Sequence, residues 1–167
     1  MNNSIHPCLW FDGNAKEAAT FYCSIFDKSN ITVDTPMVVN FNLSGQKFMG
    51  LNGGQIFTFN PSVSMFIFCK TEDNVESVWN ALSTNGNLYM PLGEYPWSKK
   101  YGWCAHKFSV SWQVVPKVLG KLMTDPEKAP RVVQAFMKMN KLILMNYFIL
   151  LLSQPKSFYH QYSYHTS

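Results

Sequence analysis

Two short stretches of the chain carry a histidine and a cysteine two positions apart, a spacing that puts both side chains on one face of a β-strand. They are His6-Pro7-Cys8 and Cys104-Ala105-His106. Imidazole and thiolate are ligands that zinc prefers, so the four groups would form a zinc site if the two strands met. Cys8 is also a candidate nucleophile with His6 as its base, although a structural thiol is the simpler interpretation.

A second candidate for acid–base chemistry is the polar and aromatic stretch Gly93–Lys100 (GEYPWSKK), which we predict to be a loop. Glu94 and Tyr95 are its candidates for an acid or a base, and a solvated hairpin tip is the alternative interpretation. The sequence contains no GxSxG nucleophile motif and no phosphate-binding P-loop.

The stretch from Ile5 to Phe26 predicts the elements that position the first of these groups. Asn14 follows a turn and precedes Glu17 by three positions, which predicts a helix start with a capping box. We expect the helix to pack on one face of the preceding strand and to leave the other face toward a cleft. The first face carries Ile5, Leu9 and Phe11, and the second carries His6, Cys8 and Trp10.

The order strand, helix and three strands occurs twice, which predicts an α+β fold of two βαβββ modules, residues 5–54 and 62–116. In the second module, Thr71 is the predicted helix N-cap and Asn85-Gly86 the helix stop. We predict C-terminal helices over 117–142, which complete a single domain over 1–142. The apolar run 143–152 is too short for a membrane span and predicts a buried helix or dimer contact, before a disordered tail over 153–167.

Composition narrows the classes of partner. The 167 residues are 47% hydrophobic, 16% aromatic and only 14% charged, which favours a homo-oligomer. The net charge of +4 comes from scattered lysines and a single arginine, so we expect no nucleic-acid partner. We interpret the four dispersed cysteines as reduced core residues. Together with an N-terminus that lacks signal-peptide character, they indicate a cytoplasmic location and no membrane association.

Several separate blocks together resemble one family. They are PCLWFDGNAKEAATFY at Pro7–Tyr22, LNGG at Leu51–Gly54, FNPSVSMFIFC at Phe59–Cys69, MPLGEYPWSKKYGW at Met90–Trp103 and HKFSVSWQVVP at His106–Pro116. The chain resembles, over residues 5–142, the PhnB-like branch of the vicinal oxygen chelate (glyoxalase/bleomycin-resistance) superfamily. Members of this branch are often labelled 3-demethylubiquinone-9 3-methyltransferase.

The resemblance implies two modules curved around a cleft, in a chain that forms homodimers. It places metal-ligand positions of the superfamily at His6, Ser64 and Gln113, of which only the histidine is a strong ligand for a divalent ion. We therefore expect no cofactor, with a divalent metal as the alternative. The predicted ligand-binding cleft, with no catalytic residue assigned, comprises His6, Trp10, Ser64, Phe66, Trp103 and Gln113.

These observations lead to one favoured function and two rivals. The favoured function is metal-independent binding of a small, partly aromatic or apolar molecule. The first rival is a metal-dependent lyase, isomerase or dioxygenase of the glyoxalase type. The second is the methyltransferase of the family label, which we disfavour because Gly50, Gly53 and Gly54 do not form a glycine-rich loop ahead of a predicted helix.

Overall fold

The computed structural model of the protein describes residues 3–96, 98–118, 126–127, 129–130 and 134. Both modules lie within one compact unit, Met1–Gly120. The predicted C-terminal helices, the apolar run and the predicted disordered tail lie outside the described residues except at a few positions, and they remain predictions.

The first module is a four-stranded sheet with one helix. Its strand order is β1-β4-β3-β2, with β1 parallel to β4 and the remaining pairs antiparallel. Ser44 and Gly45 have φ values of 49° and 90° and form the predicted tight turn between β3 and β4. The elements are β1 (Cys8–Phe11), α1 (Ala15–Ile25), β2 (Asn30–Asp34), β3 (Val38–Leu43) and β4 (Gln46–Asn52).

The second module repeats this arrangement, with strand order β5-β8-β7-β6 and β5 parallel to β8. The predicted N-cap is confirmed, because the Thr71 hydroxyl accepts a hydrogen bond from the Asn74 amide at 3.2 Å. The structure therefore confirms the α+β fold of two βαβββ modules. The elements are β5 (Met65–Cys69), α2 (Glu72–Ser83), β6 (Asn87–Tyr95), β7 (Ser98–Ala105) and β8 (Ser111–Pro116).

The start of α1 differs from its prediction in two ways. Leu9 and Phe11 are buried in the core with the helix, but Ile5 is 96% exposed because it lies before the first residue of β1. Asn14 is the N-cap residue, yet its side chain makes no capping hydrogen bond. The amide of Ala15 instead donates to Oδ1 of Asn52, at the end of β4, across 2.9 Å.

The predicted loop over Gly93–Lys100 is wrong. β6 continues to Tyr95 and β7 begins at Ser98, so most of this stretch belongs to a strand pair. The pairing of β6 with β7 shifts register three times between Leu88 and Tyr95. Such bulges take up additional residues while the pairing continues, so Gly93–Tyr95 stays paired with β7, and Pro96 lies in the turn between the two strands.

Aromatic side chains join the two modules in one core. Tyr22 of α1 is fully buried, and its ring lies 4.9 Å from the ring of Trp112 on β8. His106, in the turn between β7 and β8, stacks on Phe21 of α1 at 4.3 Å. On the surface, Lys107 of the same turn pairs with Glu17 of α1 at 2.9 Å. The second module is thereby fixed against the helix of the first.

Candidate functional site

A cavity of about 440 Å³ lies along β5, the edge strand of the second sheet. Five consecutive residues of this segment, Ser64–Phe68, line the cavity. Consecutive strand residues point to opposite faces, so the cavity follows the free edge of the strand. The other walls come from the end of α1, the start of β4 and the core: Phe26, Leu43, Ser44, Gln46, Phe48 and Trp112.

The lining is mostly aromatic and aliphatic, with three polar side chains, Ser44, Gln46 and Ser64. Among the described residues, this lining includes no Lys, Arg, Asp or Glu. The volume and this mixture of apolar walls with few polar groups are typical of a small-molecule site.

A chain of hydrogen bonds runs from the middle of the second sheet to this cavity. The hydroxyl of Tyr101 on β7 donates to Oε1 of Gln113 on β8 at 2.7 Å. Nε2 of Gln113 then donates to the hydroxyl of Ser64, just before β5, at 2.6 Å. Burial raises the pKa of Tyr101, and the nearby Tyr95 raises it further, so the phenol keeps its proton at neutral pH. These linked hydrogen bonds therefore hold the Ser64 side chain in a defined position.

The six residues predicted for the cleft occupy three different places. Ser64 and Phe66 line the cavity, and Gln113 fixes Ser64. Trp103 is the strand partner of Gln113, and its Nε1 donates to the hydroxyl of Ser111 at 2.8 Å. Four of the predicted residues thus belong to the second module.

The two others belong to the first module. The indole Nε1 of Trp10 donates to the carbonyl of Gly54 at 2.7 Å, and its ring contacts Phe57 at 5.0 Å. Trp10 lines two smaller cavities of about 260 Å³ each. The buried Nδ1 of His6 meets no hydrogen-bond partner among the described residues. His6 does not line the 440 Å³ cavity, and a role in ligand binding for His6 and Trp10 remains a prediction.

Sequence reasoning missed the partners that make this site. Tyr101 is absent from the predicted cleft, although it is two positions from Trp103 and therefore shares its sheet face. Phe26 and Trp112 line the cavity from the side of the core. Phe26 and Trp112 line the cavity only because of the way the two modules pack together. The alternation of residues within a single strand does not predict that packing.

The two cysteine–histidine pairs do not form a site in the described part of the chain. Burial raises the pKa of the Cys104 thiol to about 12, which keeps it from acting as a thiolate. Burial, together with nearby Lys107, lowers the pKa of His106 to about 4 against a smaller opposing effect of Glu17, so its ring is neutral and packs in the core. Cys8 is exposed on β1, so the prediction that all four cysteines are core residues is wrong for this one, although all four are free.

The candidate acid–base pair is part of the strand pairing. The Tyr95 hydroxyl donates to the carbonyl of Pro91 at 2.7 Å, and burial raises its pKa. Glu94 lies exposed within β6. Neither residue lines one of the three cavities described above.

Two of the three predicted metal-ligand positions, Ser64 and Gln113, do not suit a metal. Both polar atoms of the Gln113 amide are engaged, Oε1 with Tyr101 and Nε2 with Ser64. A serine hydroxyl and a carboxamide are weak neutral ligands, and a divalent ion prefers imidazole and carboxylate. Within the described ranges, no group of three or more His, Cys, Asp or Glu side chains is placed to hold an ion.

One family of known proteins and several solved structures match the chain. The sequence profile of the family described as 3-demethylubiquinone-9 3-methyltransferase matches residues 3–115. A solved structure from Bacillus cereus, described as a putative 3-demethylubiquinone-9 3-methyltransferase, PhnB protein, is 38% identical with a TM-score of 0.64. The match covers 68% of this chain and 99% of that one.

Two more distant solved structures share the fold. A protein from Pseudomonas aeruginosa is 22% identical with a TM-score of 0.60, over 70% of this chain and 98% of that one. A hypothetical protein from Staphylococcus aureus is 12% identical with a TM-score of 0.53, over 70% of this chain and 94% of that one. No curated protein matches the sequence.

Proposed function

The chain belongs to the 3-demethylubiquinone-9 3-methyltransferase family in its PhnB-like form, and from this premise we propose that it binds a small, partly aromatic or apolar molecule without a metal. The observation that carries the proposal is the 440 Å³ cavity along β5, whose walls are mainly rings and aliphatic side chains. Ser64 is its fixed polar group, held by Gln113. A site of this size and lining suits a ligand of one or two rings.

We do not propose methyl transfer, the activity in the description of the family, because the described part of the chain lacks a glycine-rich loop directly ahead of a helix. The sequence between the end of β4 and the start of α2 at Glu72 contains the glycines Gly53 and Gly54, but no helix follows them directly. The turn before α1 contains a single glycine, Gly13. Binding, rather than methyl transfer, is the activity for which the cavity supplies a physical basis.

We further propose that the protein acts as a homodimer in the cytoplasm. Several large apolar side chains of the first compact unit are exposed, including Ile56 at 76% and Val63 at 69%, and a second copy would cover them. The four free cysteines suit a reducing compartment. None of the helices in the described part of the chain has the length and apolar character of a membrane span. Native mass spectrometry measures the subunit number directly.

The test of metal independence is elemental analysis of the purified full chain. We expect well under one equivalent of zinc, iron or manganese per chain, since the donors at Ser64 and Gln113 are neutral and already engaged with one another. One tightly held equivalent of any of these ions would contradict the proposal and would favour an enzyme of the metal-dependent type.

A further inference from the structure

The hydrogen-bond chain behind the cavity has a direction. A carboxamide offers an acceptor at its oxygen and donors at its nitrogen. Because Oε1 of Gln113 accepts the proton of Tyr101, the NH₂ group is the part of the amide that faces Ser64. The Ser64 oxygen is therefore the acceptor at the end of the chain.

A hydroxyl that accepts from Gln113 keeps its own hydrogen for another partner. Among the described residues, Ser64 finds no acceptor for that hydrogen, and its side chain lines the cavity. Of the two other polar side chains of the lining, the Ser44 hydroxyl already donates its one hydrogen to a backbone carbonyl, and one N–H of the Gln46 amide does the same. Ser44 donates to Asp27 at 3.2 Å, and Gln46 donates to Lys47 at 3.0 Å.

We propose that the cavity selects a neutral aromatic or apolar molecule with a hydrogen-bond-accepting oxygen, such as a carbonyl, and that Ser64 donates to this oxygen. The inference rests on the proposed function and adds the chemical class of the ligand. The absence of charged side chains from the described lining of the cavity favours a neutral ligand. The rings of Phe48 and Phe66 would contact its apolar body.

Calorimetric titration of the full chain with two matched probes tests the inference. 2-Acetylnaphthalene carries a carbonyl where 2-ethylnaphthalene carries a methylene, and the two molecules have nearly the same shape. We expect the ketone to bind about fivefold more tightly, the effect of one neutral hydrogen bond. Ser64→Ala should remove this preference, so that the ketone binds no more tightly than the hydrocarbon.

A second variant tests the direction of the hydrogen bonds from Tyr101 to Ser64 while it keeps the serine. Glutamate at position 113 has acceptors only, so Gln113→Glu should accept from both Tyr101 and Ser64 and turn the serine hydrogen away from the cavity. We expect this variant also to lose the preference for the ketone. Ser111→Ala is the control, because the Ser111 hydroxyl likewise accepts from a neighbouring side chain, Trp103, but does not line the cavity.

The outcomes separate the two proposals. Equal affinity of the parent protein for both probes, or a preference that survives in Gln113→Glu, would overturn the directed donor at Ser64 while the cavity remained a binding site. Failure of the parent protein to bind either probe would overturn the proposed function itself. A preference lost in both variants and kept in Ser111→Ala would support the inference.

Discussion

Nε2 of Gln113 donates a hydrogen bond to the hydroxyl of Ser64 across 2.6 Å, at two positions where the sequence resemblance predicts metal ligands. Tyr101 engages the other end of the same amide. A site built for an ion would present lone pairs from charged or imidazole groups, whereas these residues satisfy one another. Their arrangement suits a pocket that recognises a neutral molecule by shape and by one hydroxyl.

Two neighbouring positions on β4 test whether the cavity is the binding site. Gln46 and Lys47 are both exposed, but only Gln46 lines the cavity. Gln46→Trp should place an indole in the cavity mouth and weaken binding of 2-ethylnaphthalene by at least about tenfold, roughly 1.4 kcal/mol. Lys47→Trp should leave the affinity unchanged. Equal effects in the two variants, measured by calorimetry, would place the ligand elsewhere.

A pair of glycines tests the packing of α2 on the second sheet. A methyl group at Gly102 would collide with the indole of Trp79, which is nearly buried. Gly102→Ala should lower the free energy of unfolding by about 2 kcal/mol, the usual effect of overpacking. A methyl group at Gly93 meets only ordinary contacts. Gly93→Ala should therefore change the free energy of unfolding by no more than about 0.5 kcal/mol. Urea denaturation measures both, and a mild Gly102→Ala would mean that Trp79 moves aside freely.

The start of α1 provides a comparison between two asparagines. Asn52 accepts from the Ala15 amide and donates to the Pro36 carbonyl at 2.8 Å. Asn52→Ala should destabilise the protein by about 1 kcal/mol, as the loss of a helix cap does. Asn14→Ala should have a smaller effect, because the Asn14 side chain makes no capping bond. The reverse order of the two effects in denaturation curves would restore the capping role that the sequence predicted for Asn14.

His106 should make stability depend on pH. Its folded pKa is lowered from 6.5 to about 4, mainly by burial, so the neutral ring is the form that suits the core. This contribution is complete above pH 6.5 and is lost as the pH falls toward 4, on the order of 2 kcal/mol. His106→Phe, which keeps an aromatic ring beside Phe21, should flatten this part of the pH profile. An unchanged profile would show that His106 does not stay neutral in the folded protein.

Local patterns in the sequence were sufficient for the modules. Alternation placed the strands, Thr71 marked the start of α2, and Asn85, with a φ of 57°, lies in the predicted helix stop. These features depend on neighbours in the chain, because capping and left-handed turns are decided within a few residues. The resemblance to a known family then implied that the two modules curve together around a cleft.

The cavity itself could not be predicted in the same way. Ser64 and Phe66 were assigned to the cleft from their strand, but the walls formed by Phe26 and Trp112 arise only when α1 of the first module packs on β8 of the second. The role of Gln113 as donor depends on Tyr101, a residue on another strand. Contacts of this kind are long-range, and side-chain spacing within one element does not encode them.

The most direct test of the account is calorimetric titration of the full chain, treated with EDTA and dialysed, with 2-ethylnaphthalene. We predict saturable binding of one probe per chain, with an affinity that added zinc, iron or manganese does not change. Absence of binding, or binding that appears only when one of these ions is restored, would contradict the central claim that the protein is a metal-independent receptor for a small apolar molecule.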